Sequence, residues 1–135
     1  MENRYFYRGK RIDTGKWEIG SLIALPDGKF EIANKCENPP DGDPMWRKCV
    51  ITHYVDPSTI CQCTGMPDKN KKLVFEHDIV WDSDERAFYE IIWNQEDMCW
   101  NVKDADGYKS NFEECYGSTI EVNGNSFDNP ELLEV

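Results

Sequence analysis

The chain of 135 residues has room for one domain or two small lobes, and its 39% of hydrophobic residues can build a buried core. This composition excludes a disordered chain, although 30% of the residues are charged and the net charge is −11. No apolar run approaches the ~20 residues that a membrane-spanning helix needs.

The excess of negative charge lies in one half of the chain. Residues 1–65 carry nine Lys or Arg and nine Asp or Glu, whereas residues 66–135 carry six and seventeen. A surface of this kind repels phosphate backbones and anionic membranes, and it attracts basic partners. We therefore expect no membrane and no nucleic acid among the partners, although the plainest role of such charge is solubility.

The first ten residues mix aromatic and charged side chains and lack the apolar segment of a signal peptide. This pattern predicts a protein of the cytoplasm, where thiols stay reduced. The expectation covers all six cysteines: Cys36, Cys49, Cys61, Cys63, Cys99 and Cys115.

Short alternating runs separated by Gly, Asn, Asp and Pro predict an all-β protein. In the first half, the alternation of Trp17, Ile19 and Ile23 indicates a strand, and the turn Pro26-Asp27-Gly28 makes it part of a hairpin. The predicted elements of this half are strands at 16–25, 29–34, 49–55 and 60–64 and an exposed loop at 38–44.

The second half repeats the pattern at closer intervals, which favours a small barrel, with an SH3-like barrel as one form of it. Its predicted strands lie at 73–75, 79–82, 87–94, 99–103 and 119–122. Asn129 before Pro130 predicts a short C-terminal helical turn, with Asn129 as its cap. The predicted fold class is all-β: a near-neutral hairpin region over residues 1–65 and an acidic, barrel-like region over residues 66–135, together one compact unit.

Three segments of the chain match a known pattern in the same order. They are Gly15–Gly20 (GKWEIG), Thr64–Val80 (TGMPDKNKKLVFEHDIV) and Gly124–Leu133 (GNSFDNPELL). Together they resemble the YopX family of phages and prophages over nearly the full length of the chain. The resemblance implies a mostly β fold, a phage or prophage origin and a location in the bacterial cytoplasm, but it implies no activity.

The chain departs from the family pattern at two positions where glycine is usual. Lys71 replaces a turn glycine, which indicates that the turn tolerates a side chain and makes Asn70 a candidate for positive φ. His77 replaces the glycine before Asp78. If the backbone there needs positive φ, His77 costs about 1–2 kcal/mol.

The chain has only two histidines, His53 and His77, for any catalytic scheme. His77 beside Asp78 invites a catalytic pair with Cys61 or Cys63 as nucleophile. Adjacent residues of a strand point to opposite faces, so Asp78 would orient His77 poorly. His77 also departs from the family pattern, which argues against an activity that the family shares. We therefore predict no catalytic residues and no enzyme.

Metal binding is the second chemical possibility. Cys61 and Cys63 lie on one face of a predicted strand, with Cys36, Cys49 and His53 upstream. Structural zinc sites present paired ligands at short, regular spacings, whereas these gaps are long and irregular, so buried reduced thiols are the expected state. The clustered carboxylates fall in predicted turns and lack the arrangement of a calcium loop. We predict no metal and no cofactor.

Aromatic side chains beside a basic groove would stack nucleic-acid bases, as in OB-folds. Trp81, Trp93 and Trp100 lie in the acidic half, so a core or a subunit interface suits them better. The N-terminal basic cluster suits pairing with the acidic half of the same or another subunit. Pairing between subunits suggests a head-to-tail oligomer. This cluster consists of Arg4, Arg8, Lys10 and Arg11.

The leading hypothesis is a non-enzymatic phage accessory protein that binds protein, either itself as a homo-oligomer or a host or phage protein. Its acidic half also suits mimicry of DNA toward a host DNA-binding protein. Two alternatives come from other classes: a nucleic-acid-binding SH3-like or OB-like module, and a thiol- or zinc-dependent enzyme.

Overall fold

The computed structural model describes residues 3–35 and 50–134 of the chain. The all-β class is confirmed, because every helical segment among these residues is a short 3₁₀ turn. None of these segments is long and apolar enough to cross a membrane. The loop predicted at 38–44, together with Cys36 and Cys49, lies outside the described residues.

Eleven strands lie in the described residues, and the alternating runs of the sequence account for most of them. The strands are β1 (Tyr7–Lys10), β2 (Trp17–Ala24), β3 (Phe30–Lys35), β4 (Val50–Val55), β5 (Cys61–Pro67), β6 (Leu73–Phe75), β7 (Asp78–Asp82), β8 (Ala87–Asn94), β9 (Cys99–Lys103), β10 (Lys109–Asn111) and β11 (Ile120–Asn125). The chain divides into two compact units: a first unit, Tyr5–Cys61, and an acidic unit, Gln62–Val135 with Met1–Arg4.

In the first unit the antiparallel strand order is β4-β3-β2-β1. The predicted hairpin of β2 and β3 is confirmed, and Gly28 adopts φ 86° in its turn. The segment after β1 also meets β4, because Ile12 N donates to Tyr54 O (3.0 Å) and Asp56 N donates to Lys10 O (2.8 Å). These bonds bring the Ile12 segment against the edge strand β4.

The acidic unit contains the hairpin of β5 and β6 and a five-stranded antiparallel sheet with the order β10-β9-β8-β7-β11. The core of this unit is a cluster of buried aliphatic side chains, against which Tyr89, Trp100 and Phe112 pack. The cluster consists of Val80, Ile91, Val102 and Ile120 of the sheet and Val74 of β6. Alternation along the strands places the cluster residues of the sheet on a common face.

The second half forms an open sheet instead of the expected closed barrel. Strands β10 and β11 stand at its two edges, because β11 returns to pair with β7 and not with β10. Closure of a barrel requires the first and last strands to pair. The C-terminal helical turn is confirmed as a 3₁₀ turn at Pro130–Leu133, but the Asn129 side chain does not cap it.

Candidate functional sites

The central family segment protects an edge of the acidic sheet. Asp68 is 4% exposed, and its carboxylate accepts hydrogen bonds from the backbone N–H groups of Asn70 (2.8 Å), Lys72 (2.9 Å) and Val122 (3.0 Å). Lys69 N adds a bond to Ile120 O at 3.0 Å. Asp68 therefore closes a tight turn and satisfies part of the outer edge of β11, which would otherwise be open to other strands.

The other two family segments also hold the fold. A side chain at Gly20 would collide with the carbonyl oxygen of Ala33 on β3, so only glycine allows this close approach of the strands. At Gly124 a side chain would meet Asn129, whose Oδ1 accepts a hydrogen bond from Asn125 N (3.3 Å). Asn129 therefore braces the end of β11, which explains why it does not cap the following turn.

Lys71 and His77, the two departures from the family pattern, both have left-handed backbones, with φ of 67° and 68°. The expectation that Asn70 takes the positive φ is wrong. The bonds from Asn70 N and Lys72 N to Asp68 fix the turn. Lys71, which lies between these two residues, is therefore the left-handed one. The structure thus gives the physical reason for glycine at both positions of the pattern.

His77 belongs to a polar cluster on the acidic unit. Its Nδ1 lies 2.8 Å from Oε2 of Glu90, and Lys103 Nζ lies 3.5 Å from the other oxygen of the same carboxylate. Phe127 meets the imidazole edge-on at 5.5 Å. Burial raises the pKa of Glu90, but the hydrogen bond with His77 and the charge of Lys103 outweigh it, so the pKa lies below its usual value.

His77 and Asp78 do not form the catalytic pair that was considered from the sequence. Asp78 is 1% exposed and accepts a hydrogen bond from Phe75 N (2.8 Å), whereas His77 faces Glu90. Cys61 and Cys63 are completely buried. The thiol of Cys61 donates to Thr59 O at 3.2 Å. Asp78 and Glu90 are therefore committed to structural bonds, a third carboxylate, Glu76, lies 3.7 Å from His77 Nε2, and the two thiols are inaccessible to solvent.

Within the described residues, no three His, Cys, Asp or Glu side chains come together as a group that could hold a metal ion. Asp104 in a predicted turn, and Asp82 at the end of β7, accept hydrogen bonds from the backbone of the turn that follows them. Asp104 Oδ1 accepts from Asp106 N (3.0 Å) and Tyr108 N (2.9 Å), and Asp82 Oδ1 accepts from Asp84 N (3.0 Å). These bonds are the local Asx type and explain the acidic residues without a ligand.

Three members of the N-terminal basic cluster, Arg8, Lys10 and Arg11, have partners inside the first unit. Arg8 is 8% exposed, and its guanidinium lies 4.7 Å from the centre of the Trp17 ring. Lys10 approaches the same ring at 5.3 Å. Arg11 forms a two-pronged bond with Asp13 (2.9 and 2.8 Å). The hydrogen bonds from Arg11 hold the pKa of Asp13 below its usual range. These partners compete with the intersubunit pairing that the sequence suggested.

An exposed apolar group lies at the tip of the hairpin that joins β8 and β9. Trp93 and Met98 are 38% and 65% exposed, and Trp100 packs on Trp93 at 5.2 Å between ring centres. The exposed carboxylates Glu96 and Asp97 stand beside them. We call residues 93–98 the acidic tip.

The acidic tip is held in one shape by its own bonds. Trp93 Nε1 donates to Gln95 Oε1 (2.8 Å), and Gln95 Nε2 lies 3.4 Å from the sulfur of Met98. Asn94 donates to Asn101 on β9 at 2.8 Å. Met98 has φ 54°, a strained conformation for a side chain of this size. The tip therefore presents the apolar surface of Trp93 and Met98 in a turn with a left-handed residue, a conformation that Arg86 (φ 55°) also adopts in the turn before β8.

The first unit has a surface groove of about 460 Å³ beside β4. Ile12 and Tyr54 supply exposed apolar surface there (65% and 49% exposed), and Lys29 Nζ lies 5.5 Å from the centre of the Tyr54 ring. Its full lining is Ile12, Asp13, Lys29, Thr52, His53 and Tyr54. We call it the β4 groove.

The fold and these sites define a small all-β protein with two antiparallel units, whose signature residues hold turns and strand edges. The family model described as YopX protein matches residues 7–134, and the chain belongs to the YopX family. The fold is similar to the crystal structure of protein YopX from Bacillus subtilis, with a TM-score of 0.57 and 19% sequence identity, over 97% of this chain and 99% of that one. No curated protein matches the chain.

Proposed function

We propose that this chain is a non-enzymatic accessory protein of a phage or prophage that acts in the host cytoplasm by contact with protein. The observation that carries the proposal is the acidic tip, where Trp93 and Met98 stay exposed on a hairpin with a left-handed Met98. Aromatic residues and Met are enriched at protein interfaces, and their burial against a partner is favourable.

The charge of the acidic unit supports a protein partner over a nucleic acid. Glu96 and Asp97 flank the apolar side chains of the tip, so a phosphate backbone would meet like charge there. A partner with apolar and basic groups would gain from both features of the tip. The partner is either a second copy of the chain or a host or phage protein.

A photo-crosslinking residue at position 98 tests the proposal in cells that express the protein. We expect covalent adducts at position 98 and none at position 106, in an exposed turn of the acidic unit that serves as the control. An adduct of defined mass, with the chain itself or with another protein, supports protein contact at the tip. Equal labelling at both positions would refute the proposal.

A further inference from the structure

The acidic tip and the β4 groove have complementary chemistry. The tip offers exposed Trp93 and Met98 with two carboxylates beside them. The groove offers exposed Ile12 and Tyr54 with a lysine held over the Tyr54 ring. Each surface therefore combines apolar area with a charge that the other one matches, which is the usual basis of electrostatic complementarity.

The groove lining contains one lysine, Lys29, and one carboxylate, Asp13. The Asp13 carboxylate is engaged by Arg11 at 2.9 and 2.8 Å, and Arg11 also meets Glu18 at 3.3 Å. Lys29 supplies the positive charge that an incoming carboxylate meets in the groove. A carboxylate is the group that this environment favours.

We propose that the β4 groove of one copy binds the acidic tip of a second copy. Met98 and Trp93 then pack on Ile12 and Tyr54, and Glu96 and Asp97 face Lys29. This inference rests on the proposed function and names its partner. It assigns to Lys29 the role that the sequence suggested for the N-terminal basic cluster, whose Arg8, Lys10 and Arg11 are engaged within the first unit.

An interface of this kind is heterologous, because two different surfaces of the chain meet. Each copy that binds through its groove still carries a tip for another copy, so association continues until a ring closes or a filament forms. This property separates the proposal from a two-fold dimer, in which the same patch meets itself.

Charge reversal on either side tests the interface with the purified full-length protein. Lys29→Glu disables the groove, and Asp97→Lys disables the tip. Lys16→Glu and Asp106→Lys make the same charge changes at exposed positions outside both surfaces and are the matched controls. Sedimentation velocity across a concentration series measures the assembly, and circular dichroism verifies that each variant is folded.

We expect the wild-type protein and both controls to grow in mass with concentration, and Lys29→Glu and Asp97→Lys to associate more than tenfold less tightly. An equimolar mixture of these two variants should recover association, because every contact between unlike copies joins either an intact tip with an intact groove or two reversed charges that again match. A mixture that associates no more than either variant alone, or a wild-type protein that stays monomeric throughout, overturns the inference. If position 98 crosslinks to a different protein while the purified chain stays monomeric, the proposed function stands and only this inference fails.

Discussion

Lys71 and His77 occupy left-handed backbone positions that glycine adopts without steric cost. We expect Lys71→Gly to raise the free energy of unfolding by about 0.5–1 kcal/mol, since relief of the left-handed strain exceeds the flexibility that glycine adds to the unfolded chain. Urea unfolding followed by tryptophan fluorescence measures the change.

His77→Gly is the matched comparison, because it relieves the same backbone strain but removes the hydrogen bond with Glu90. We expect it to be less stable than Lys71→Gly, since the buried carboxylate of Glu90 loses a charge-assisted bond. Equal stabilisation by both substitutions would show that the contact between His77 and Glu90 contributes nothing.

Glu90 makes the stability of the protein depend on pH. Its folded-state pKa lies below the usual value: burial opposes this shift, but the hydrogen bond with His77 and the charge of Lys103 dominate. Ionised Glu90 therefore stabilises the fold above its unfolded pKa of about 4.3, and this contribution is lost as pH falls through the folded pKa.

The substitution Glu90→Gln tests this linkage. At neutral pH the variant should be less stable than the wild type, and the difference should shrink as the pH falls below about 4. Urea denaturation at several pH values measures both effects. Glu96→Gln, which removes one exposed carboxylate from the acidic tip, is the control for charge alone, and a Glu90→Gln difference that stays constant with pH would contradict the assignment.

At the scale of elements, the turn at Asp68 covers part of the outer edge of β11 with hydrogen bonds. Asp68→Ala leaves three backbone N–H groups without their acceptor, including Val122 N, which is 54 residues away in sequence. We expect a loss of about 2–4 kcal/mol in the free energy of unfolding. Hydrogen exchange should also show faster exchange at Val122.

Asp104→Ala is the matched control for Asp68→Ala, because the Asp104 carboxylate accepts hydrogen bonds from the backbone of its own turn. Its carboxylate accepts two backbone bonds, but the turn is exposed and water can replace it. The expected loss is about 1 kcal/mol or less. If both substitutions lower the free energy of unfolding by the same amount, the bond between Asp68 and β11 adds no stability.

The sequence predicts strands better than it predicts their partners. The expected runs 87–94 and 99–103 coincide with β8 and β9, because alternation and turn residues are local signals. The pairing of β11 with β7, which leaves the sheet open, depends on contacts distant in sequence and has no local signal. For the same reason, the bond from Val122 N to the Asp68 carboxylate could not be anticipated.

The acidic tip and the β4 groove likewise emerge only from the fold. Trp93 lies on the face of β8 that carries the core residue Ile91, and its exposure results from its position at the end of the sheet. The one local signal is Met98 in a turn beside Glu96 and Asp97, where an apolar residue is unusual. The Ile12 segment reaches β4 through bonds that no sequence pattern indicates.

At the scale of the whole molecule, the distribution of charge separates protein binding from nucleic-acid binding. Residues 66–135 carry the entire net charge of −11. In the first unit, Arg8 is 8% exposed and Arg11 is bound to Asp13. The long-range field of the protein is therefore negative, which disfavours the approach of a phosphate backbone.

We expect the protein to pass through a heparin column at physiological salt and to leave labelled single-stranded DNA unshifted. Lower salt sharpens this test, because the screening length rises from about 8 Å at 0.15 M to about 30 Å at 0.01 M. A nucleic-acid-binding protein gains affinity under these conditions, since fewer counterions compete. Here the repulsion between like charges should grow instead, so the protein should still flow through. Retention that increases as the salt is lowered would show a cationic face that outweighs the acidic unit, and the nucleic-acid-binding alternative would then replace protein contact as the leading function.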